Sequence, residues 1–289
     1  MANLKEIKTR IGSVKKTRQI TQAMKLVAAA KLKRATEAAT AAKPYQGQLQ
    51  LVLQRVGQSV GDDIDNPLLQ AREVKKAAVV TLTSDRGMCG GFNNVLLRKH
   101  LFWLEKKGAD AAIENTVYGR KGLSFLQGRE IEVAHNVVNY GKTTKMELVR
   151  PLCDRLVAGF VDGEVDEVWL VYNEFVNNIT QTPKYLKLLP LAVEAEEGDA
   201  PAEAGADYRY EPGAEEILDA LLPLYVRTLV LQAFLETEAG EYAARMSAMD
   251  NATRNASDLI DSLTLEYNRA RQAAITTEII EIVSGAEAL

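Results

Sequence analysis

The chain has 289 residues, 47% hydrophobic and 26% charged, which is the composition of a folded globular protein and not of a disordered one. Its net charge of −4 is mild but uneven: the first 34 residues carry ten lysines and arginines against one acid, Glu6, while from Glu241 onward eight acids face four arginines. No apolar run approaches the ~20 residues of a membrane span, and the basic amino terminus lacks both the apolar core and the cleavage site of a signal peptide.

Aromatic residues are sparse and alanine is abundant, which favours helix. Residues 3 to about 43 read as one long helix. Leu4, Ile7, Ile11 and Val14 step by three and four, and Ile20, Ala23, Val27 and Ala30 continue on a nearby face. Pro44 and Gly47 mark a kink or an end, and apolar Leu49, Leu51, Leu53 and Val56 can prolong the helix toward Gly57 and Gly61.

The middle has a different rhythm. Ala77–Thr83, Ala112–Tyr118, Ile131–Val138, Val168–Phe175 and Tyr185–Leu191 read as strands. Asn94–Lys107, a short piece at Leu123–Leu126, and Met146–Phe160 read as helices. Alternation of this kind predicts a Rossmann-like α/β layer domain with a mostly parallel sheet over 74–192. Val193 to Asp207 is rich in Glu, Ala, Gly and Asp, so 193–212 reads as an acidic linker. Pro212 and Gly213 then open a last helical region, 213–289, which Pro223 is expected to kink.

In that region the small or apolar residues fall at Tyr242, Met246, Met249, Thr253, Ala256, Ile260, Leu263, Tyr267, Ala270, Ala274 and Thr277. The spacing alternates four and three, the repeat that a seam between two supercoiling helices requires. The seam is thin in large residues. After Ala274 the pattern breaks, and Ile275, Ile279, Ile280, Ile282 and Val283 point in several directions, so this end needs to be enclosed by something. Two heptad-bearing helices at opposite ends of one chain, 1–60 and 213–289, predict an antiparallel coiled coil, basic helix against acidic helix. The fold class expected is therefore α/β plus long helices: that coiled coil with the central α/β domain attached.

Few residues suggest chemistry. Ser84 to Asn93 follows a strand and precedes a helix, where phosphate-binding loops sit, but it has no Lys-Ser/Thr ending and no G-x-G-x-x-G. A tight turn or a partner contact is the alternative. Cys89 and Cys153 lie far apart, with no second cysteine beside either, and read as free thiols in a reducing compartment. His100 and His135 read as packing or surface residues. No zinc, redox or nucleophile-elbow motif occurs, and no cofactor is expected. The basic first helix admits three readings. A nucleic-acid surface would bind phosphates but lacks stacking aromatics before Tyr45. A membrane-surface helix would need a bulkier apolar face. The third reading is the solvated flank of a coiled coil. A basic coiled-coil nucleic-acid-binding or scaffold protein is thus one function class.

Three segments supply another. Ile20-Thr21-Gln22-Ala23-Met24-Lys25-Leu26-Val27-Ala28 through Lys31 is the first and Ser84 to Asn93 the second. The third runs from Ala244-Arg245-Met246 through Met249, Ala252-Thr253 and Asn255, then Tyr267-Asn268 and Arg271-Gln272-Ala273, to Ile275-Thr276-Thr277-Glu278-Ile279. Together they resemble the gamma subunit of the F-type ATP synthase in its bacterial form, over essentially the whole chain. The resemblance implies a non-catalytic central rotor, turning inside a ring of alpha and beta subunits and holding the epsilon subunit and the membrane c-ring. It implies no nucleotide or nucleic acid on this chain. It places the chain at the cytoplasmic face of the bacterial plasma (inner) membrane. By the family pattern, Met24 and Lys25 lie near an acidic beta-subunit loop, and Arg271, Gln272 and Thr276 contact a beta-subunit loop higher up. Ile275, Ile279, Ile280, Ile282 and Val283 form an apolar bearing tip, and Tyr208, Tyr210 and Glu211 face the c-ring and epsilon.

Overall fold

A computed structural model describes residues 4–60, 66–191, 211 and 213–287. The elements in chain order are α1 (Leu4–Val60), β1 (Lys76–Leu82), α2 (Phe92–Gly108), β2 (Ala112–Tyr118), α3 (Arg120–Gln127), β3 (His135–Val137), α4 (Lys145–Val161), β4 (Glu167–Phe175), β5 (Gln181–Leu189) and α5 (Ala214–Glu287). The chain divides into two compact units, one made of 1–30 with 245–289 and the other of Lys31–Ala244.

In the Lys31–Ala244 unit the five strands form one sheet in the order β3-β2-β1-β4-β5. β1 lies between β2 and β4 and is parallel to both, β3 is parallel to β2, and β5 returns antiparallel to β4. Side chains alternate between the two faces, as the pleat requires. Ala78, Val80 and Leu82 of β1, with Val168, Leu170 and Tyr172 of β4, enter the main core. There they meet Leu49, Leu53 and Val56 of α1, Leu152, Leu156 and Phe160 of α4, and Leu218, Leu222, Val226 and Phe234 of α5. Val79 and Val171 turn the other way, onto Leu96 of α2, while Val117 joins Leu104 and Leu126. A sheet covered on both faces explains the continuous apolar run of β1. β5 is the exception. It is an edge strand carrying Lys184 and Lys187, and it begins at Gln181, four residues before the expected start. A strand with one covered face reads weakly in sequence. β3 shrinks to three residues for the same reason.

The amino end of α4 is fixed by a capping box. The Thr144 N–H donates to Glu147 Oε2 at 3.1 Å, and the Thr144 side chain answers the backbone of Glu147. α1 does not end at Pro44 but runs through it for 57 residues. Proline removes one intrahelical bond, here with the carbonyl of Thr40, and both residues lie on the exposed face. α5 likewise continues through Pro223. It also holds an 18-residue stretch of mean hydropathy 1.5, long and apolar enough to cross a membrane by length and composition, although the sequence shows no unbroken apolar run. Its apolar content has a packing cause: Leu218, Leu222, Val226, Leu229, Val230, Ala233 and Phe234 are all buried.

In the terminal-helix unit, α1 and α5 pair antiparallel. Thr21 meets Thr253 and Lys25 meets Asp250, so one number rises as the other falls. The buried side of α1 is set by a seven-residue step from Ile7 through half-buried Val14 to Thr21 and Ala28, with Ile11 and Lys25 on the flanking step. Ile20, Ala23, Val27 and Ala30 therefore do not continue the seam. They face outward, with Ile20 60% and Val27 58% exposed. Thr17, Arg18, Thr21 and Lys25 occupy the steps after Val14, and their polarity hides the true repeat. On α5, Met249, Ala256, Ile260 and Leu263 are buried, whereas Thr277 is exposed, so the seam stops short of the expected end.

Ile260, only 6% exposed, is the largest fully packed seam residue on α5 beside Leu263. Ile260→Asp places an unpaired charge there and is expected to destabilise the pair by several kcal/mol, at least ~3. Loss of helicity and a lower melting temperature, measured by circular dichroism, check this; an unchanged melt contradicts the pairing.

His100 is buried on the inner face of α2. Its Nε2 lies 3.1 Å from Thr81 Oγ1, and its ring stacks on Trp103 at 6.0 Å. Burial pushes its pKa down from 6.5 to about 4. The folded state therefore binds fewer protons than the unfolded chain between those values. Stability is full above pH 6.5 and falls as the pH drops toward 4, by up to roughly 3 kcal/mol. Urea melts of wild type and His100→Gln across that range check this: the wild type loses stability on acidification by that much more than the variant.

Candidate functional site

An open, mainly parallel sheet binds ligands at the carboxyl ends of its strands, where the chain winds to opposite sides. Here that point lies between β1 and β4. The loop after β1, Ser84–Gly91, is closed on itself. The Ser84 N–H donates to Asn93 Oδ1 at 3.0 Å, and Asn93 Nδ2 donates to Ser84 Oγ at 2.7 Å and to Cys89 Sγ at 3.3 Å. The Ser84 hydroxyl donates to the Arg86 carbonyl at 2.8 Å. Asp85 accepts two backbone N–H groups through one oxygen, from Arg120 at 3.0 Å and Asn139 at 2.8 Å. Met88 and Gly90 take positive φ, 62° and 57°, to make the turn. Gly119 at the next strand end sits at φ 103°, where a Cβ would lie 2.2 Å from the Thr83 carbonyl oxygen. The crevice beside these loops is packed with rings: Phe234 of α5 stands edge-on to Tyr118 at 5.1 Å and to Tyr140 at 6.0 Å. The Tyr140 hydroxyl donates to the Thr83 carbonyl at 2.6 Å, and burial raises its pKa well above the usual phenol value. The loop is a braced turn, and Phe234 of α5 packs against the rings at the carboxyl end of β2.

Neither thiol is set up as a nucleophile. Cys89 is buried in its loop. Cys153 lines an open cleft of 410 Å³ between α4 and α5, with Val157, Val161, Pro223 and the Asp154–Arg227 ion pair. Burial pushes the Cys153 thiol up to about 12, so it stays protonated at neutral pH. His135 lies exposed on an edge strand, far from being a partner to either. Among the described residues no three His, Cys, Asp or Glu side chains group as metal ligands.

The expected contact residues fall on the two long helices. Met24 is half-buried on α1. Lys25 is engaged within the chain: its Nζ lies 2.5 Å from Asp250 Oδ1, and Arg254 binds the other carboxylate oxygen. The hydrogen bond from Lys25 and then that from Arg254 hold the Asp250 carboxyl below the usual carboxylate range. Ile20, Leu26 and Val27 form an exposed apolar strip beside them, with Leu26 61% exposed. Arg271, Gln272 and Thr276 are exposed on α5, and the Thr276 hydroxyl donates to the Gln272 carbonyl of its own helix at 2.9 Å. Ile275, Ile279, Ile280, Ile282 and Val283 are 46–72% exposed. The pairing of Thr21 with Thr253 sets Leu4 across from the turn at Ala270, so α5 beyond that turn has no α1 residue among the described ones to lie against. Tyr208 and Tyr210 lie outside the described residues, as does the linker except for Glu211, which is exposed in a bend. Sequence reasoning missed the Thr21–Thr253 and Lys25–Asp250 contacts. Their signal was the polar residues standing at seven-residue steps in α1.

A family model described as ATP synthase matches residues 3–289. The ATP synthase gamma chain of Pelotomaculum thermopropionicum is 44% identical over 289 residues, all of both chains. That of Geobacter metallireducens is 48% identical over 292 residues, covering all of this chain and 99% of the relative. The chain belongs to the ATP synthase gamma-chain family. Among solved structures, a chain of the central stalk and c-ring of Tetrahymena thermophila mitochondrial ATP synthase matches with a TM-score of 0.62 and 26% identity, over 81% of this chain and 99% of that one. The rotor of Euglena gracilis mitochondrial ATP synthase shares the fold, with a TM-score of 0.64 over 94% of this gamma-family chain and 98% of its own.

The exposure of Arg271 and Gln272 generates an expectation for the gamma-family chain by itself. The double variant Arg271→Leu, Gln272→Leu folds normally, its melting temperature within about 2 °C of wild type, as for surface changes worth less than ~0.5 kcal/mol. Thermal melts of the two proteins side by side check this, and a large loss would reveal an intrachain role.

Proposed function

We infer that this chain is the central rotor shaft, the gamma subunit, of an F-type ATP synthase, coupling ion-driven rotation of a membrane c-ring to ATP synthesis or hydrolysis at the beta subunits. The observation that carries this is the family match over residues 3–289, joined to a slim antiparallel helix pair whose α5 end is apolar and uncovered. The chain is not catalytic; the chemistry belongs to the beta subunits. Its partners are the alpha and beta subunits of the catalytic ring, the epsilon subunit and the c-ring.

The work of this chain is mechanical. An elementary charge crossing 100 mV releases about 2.3 kcal/mol, so several ions are needed for each ATP, and a stiff shaft pools their steps as rotation. A shaft without symmetry presents a different face to each catalytic site in turn. It biases a site only through contacts that differ between that site's conformations. Arg271 and Gln272 supply contacts of that kind: the guanidinium suits a carboxylate or carbonyl on the stator, and the amide both donates and accepts. Thr276 lies one turn further on the same helix. Ile275, Ile279, Ile280, Ile282 and Val283 form the tip that turns in an apolar bearing. Met24, with the exposed strip of Ile20, Leu26 and Val27, meets the stator beside Lys25, whose charge is already shared with Asp250. Tyr208, Tyr210 and Glu211 face the c-ring and epsilon. The domains are the amino-terminal helix to residue 60, the α/β domain 74–192, the linker 193–212 and the carboxyl-terminal helix. The complex is membrane-associated, and this reading puts the chain at the cytoplasmic face of the bacterial inner membrane.

Lys33 and Arg34 are exposed and follow the strip on α1. Reversing both to glutamate is expected to slow ATP-driven turnover of the reconstituted complex several-fold and to flatten its salt dependence, with little change in melting. Turnover assays at two ionic strengths check this; wild-type rate and wild-type salt dependence together remove the electrostatic role. The parent reading is tested by purification from native membranes, where the chain co-purifies with an ATPase. Recovery of the chain apart from any ATPase would overturn it.

A further inference from the structure

We propose that the outer face of α2 is a docking surface for a partner protein, and that the partner presents an apolar pocket ringed by carboxylates. The proposal concerns the chain by itself and does not rest on the rotor reading. α2 buries Leu96, Leu97, His100 and Leu104 in the Lys31–Ala244 unit, with Leu96 and Leu104 packed against strand residues. Helical spacing then puts Val95, Arg98, Phe102 and Lys106 on the opposite side, flanked by Lys99 and Glu105, and all six are exposed. Phe102 is 72% exposed, more than any other ring among the described residues, and Val95, two turns before it, is 48% exposed. Single exposed apolar residues are ordinary on a protein surface. Here the two share one line, with cations between and beside them.

The charges specify the partner. Arg98, Lys99 and Lys106 stand against one acid, Glu105, in a chain whose net charge is −4. Lys107 turns back toward the sheet and pairs with Glu167 at 2.7 Å. Among the described residues no such ion pair engages Arg98, Lys99 or Lys106. Lys106 lies in the last turn, where a cation answers the helix dipole. Arg98 and Lys99 lie in the middle of the helix and have no such use. An aromatic side chain beside an arginine is the composition of an interface centre. Carboxylates on the partner neutralise the cations and steer it onto the ring. The helix is a firm base for the contact, since Trp103, next to Phe102, stacks on His100 at 6.0 Å and on Tyr185 at 5.5 Å. A membrane surface needs a broader apolar face than one phenylalanine and one valine. Single-stranded nucleic acid needs a succession of rings. A second copy docked through the same face brings cation against cation.

The test replaces Phe102 with the photoreactive residue p-benzoylphenylalanine in the full-length chain, made in its own cells. The cells are irradiated and the peptide joined to that position is sequenced by mass spectrometry. One main protein adduct is expected, through a segment rich in Asp and Glu. Its yield should fall several-fold when Arg98→Glu, Lys99→Glu and Lys106→Glu are added. The same probe placed at Val161 on α4, 47% exposed, should not capture that segment. The captured protein, once purified, should bind the unmodified chain at least about tenfold more tightly than the Phe102→Ala chain, and binding should weaken with added salt. Thermal melts establish that each variant is folded. If the triple reversal unfolds the chain, Arg98→Gln with Lys99→Gln takes its place, with the same expectation. The proposal fails if no adduct forms, or if the adduct is to lipid, nucleic acid, a second copy of this chain or a segment without acids. It fails equally if Val161 captures the same segment, if the yield ignores the charges, or if the purified partner binds the Phe102→Ala chain as tightly as the unmodified one.

Discussion

The terminal-helix unit depends on a seam between two antiparallel helices. A seven-residue step places Ile7, Val14, Thr21 and Ala28 of α1 on one line, half-buried or buried, and the same step recurs at Ala35, Ala42, Leu49 and Val56. The first half of that line lies in the terminal-helix unit. The second half lies in the Lys31–Ala244 unit, where Leu49 and Val56 belong to the core under the sheet. Across the first half, Thr21 and Lys25 of α1 meet Thr253 and Asp250 of α5.

The α/β unit shows how an architecture suited to ligand binding serves another purpose. At the carboxyl end of β2, beside β1, Phe234, Tyr118 and Tyr140 pack ring against ring. The loop that would cradle phosphates has its Asn93, Ser84 and Asp85 committed to internal hydrogen bonds. In the same unit a buried carboxylate, Glu236, accepts from Gln232 at 2.8 Å, with Lys43 at 3.9 Å. On the α2 side, Glu167 is held by Lys107, Lys187 and the Trp169 indole, whose hydrogen bonds outweigh burial and lower its pKa. Fold class and function are separate matters here, and the site has to be read residue by residue.

The long elements and the central strands were legible because their signals are strong. β2 and most of β1, β4 and α4 lie where apolar periodicity places them, since both faces of the sheet are covered. The single-faced edge strand β5 and the short β3 were misjudged at their ends because half their residues answer to solvent. At Pro44 the helix continues, as Leu49 to Val56 allowed, because an exposed proline in a long helix forfeits one backbone bond. Ile20 and Val27 misled. Apolar and at helical spacing, they are nonetheless turned outward, while Thr21 and Lys25 sit in or beside the seam. A pattern read from hydrophobicity alone assigns those two pairs the wrong way round. The residues at the far end of α5 were legible as a surface wanting a partner, because five branched aliphatic side chains on every side of a helix have no place in water.

The central claim is that this chain turns inside a stationary ring. An exposed position in the Lys31–Ala244 unit, such as Phe102 at 72% exposure, can be changed to cysteine and labelled while the buried native thiols are spared. The labelled chain would be assembled with its alpha and beta subunits, the ring fixed to a surface, and the label followed while ATP is hydrolysed. Rotation in one direction, stopping when ATP is withdrawn, is the predicted result. Full ATP hydrolysis with a label that stays fixed relative to the ring would contradict the account.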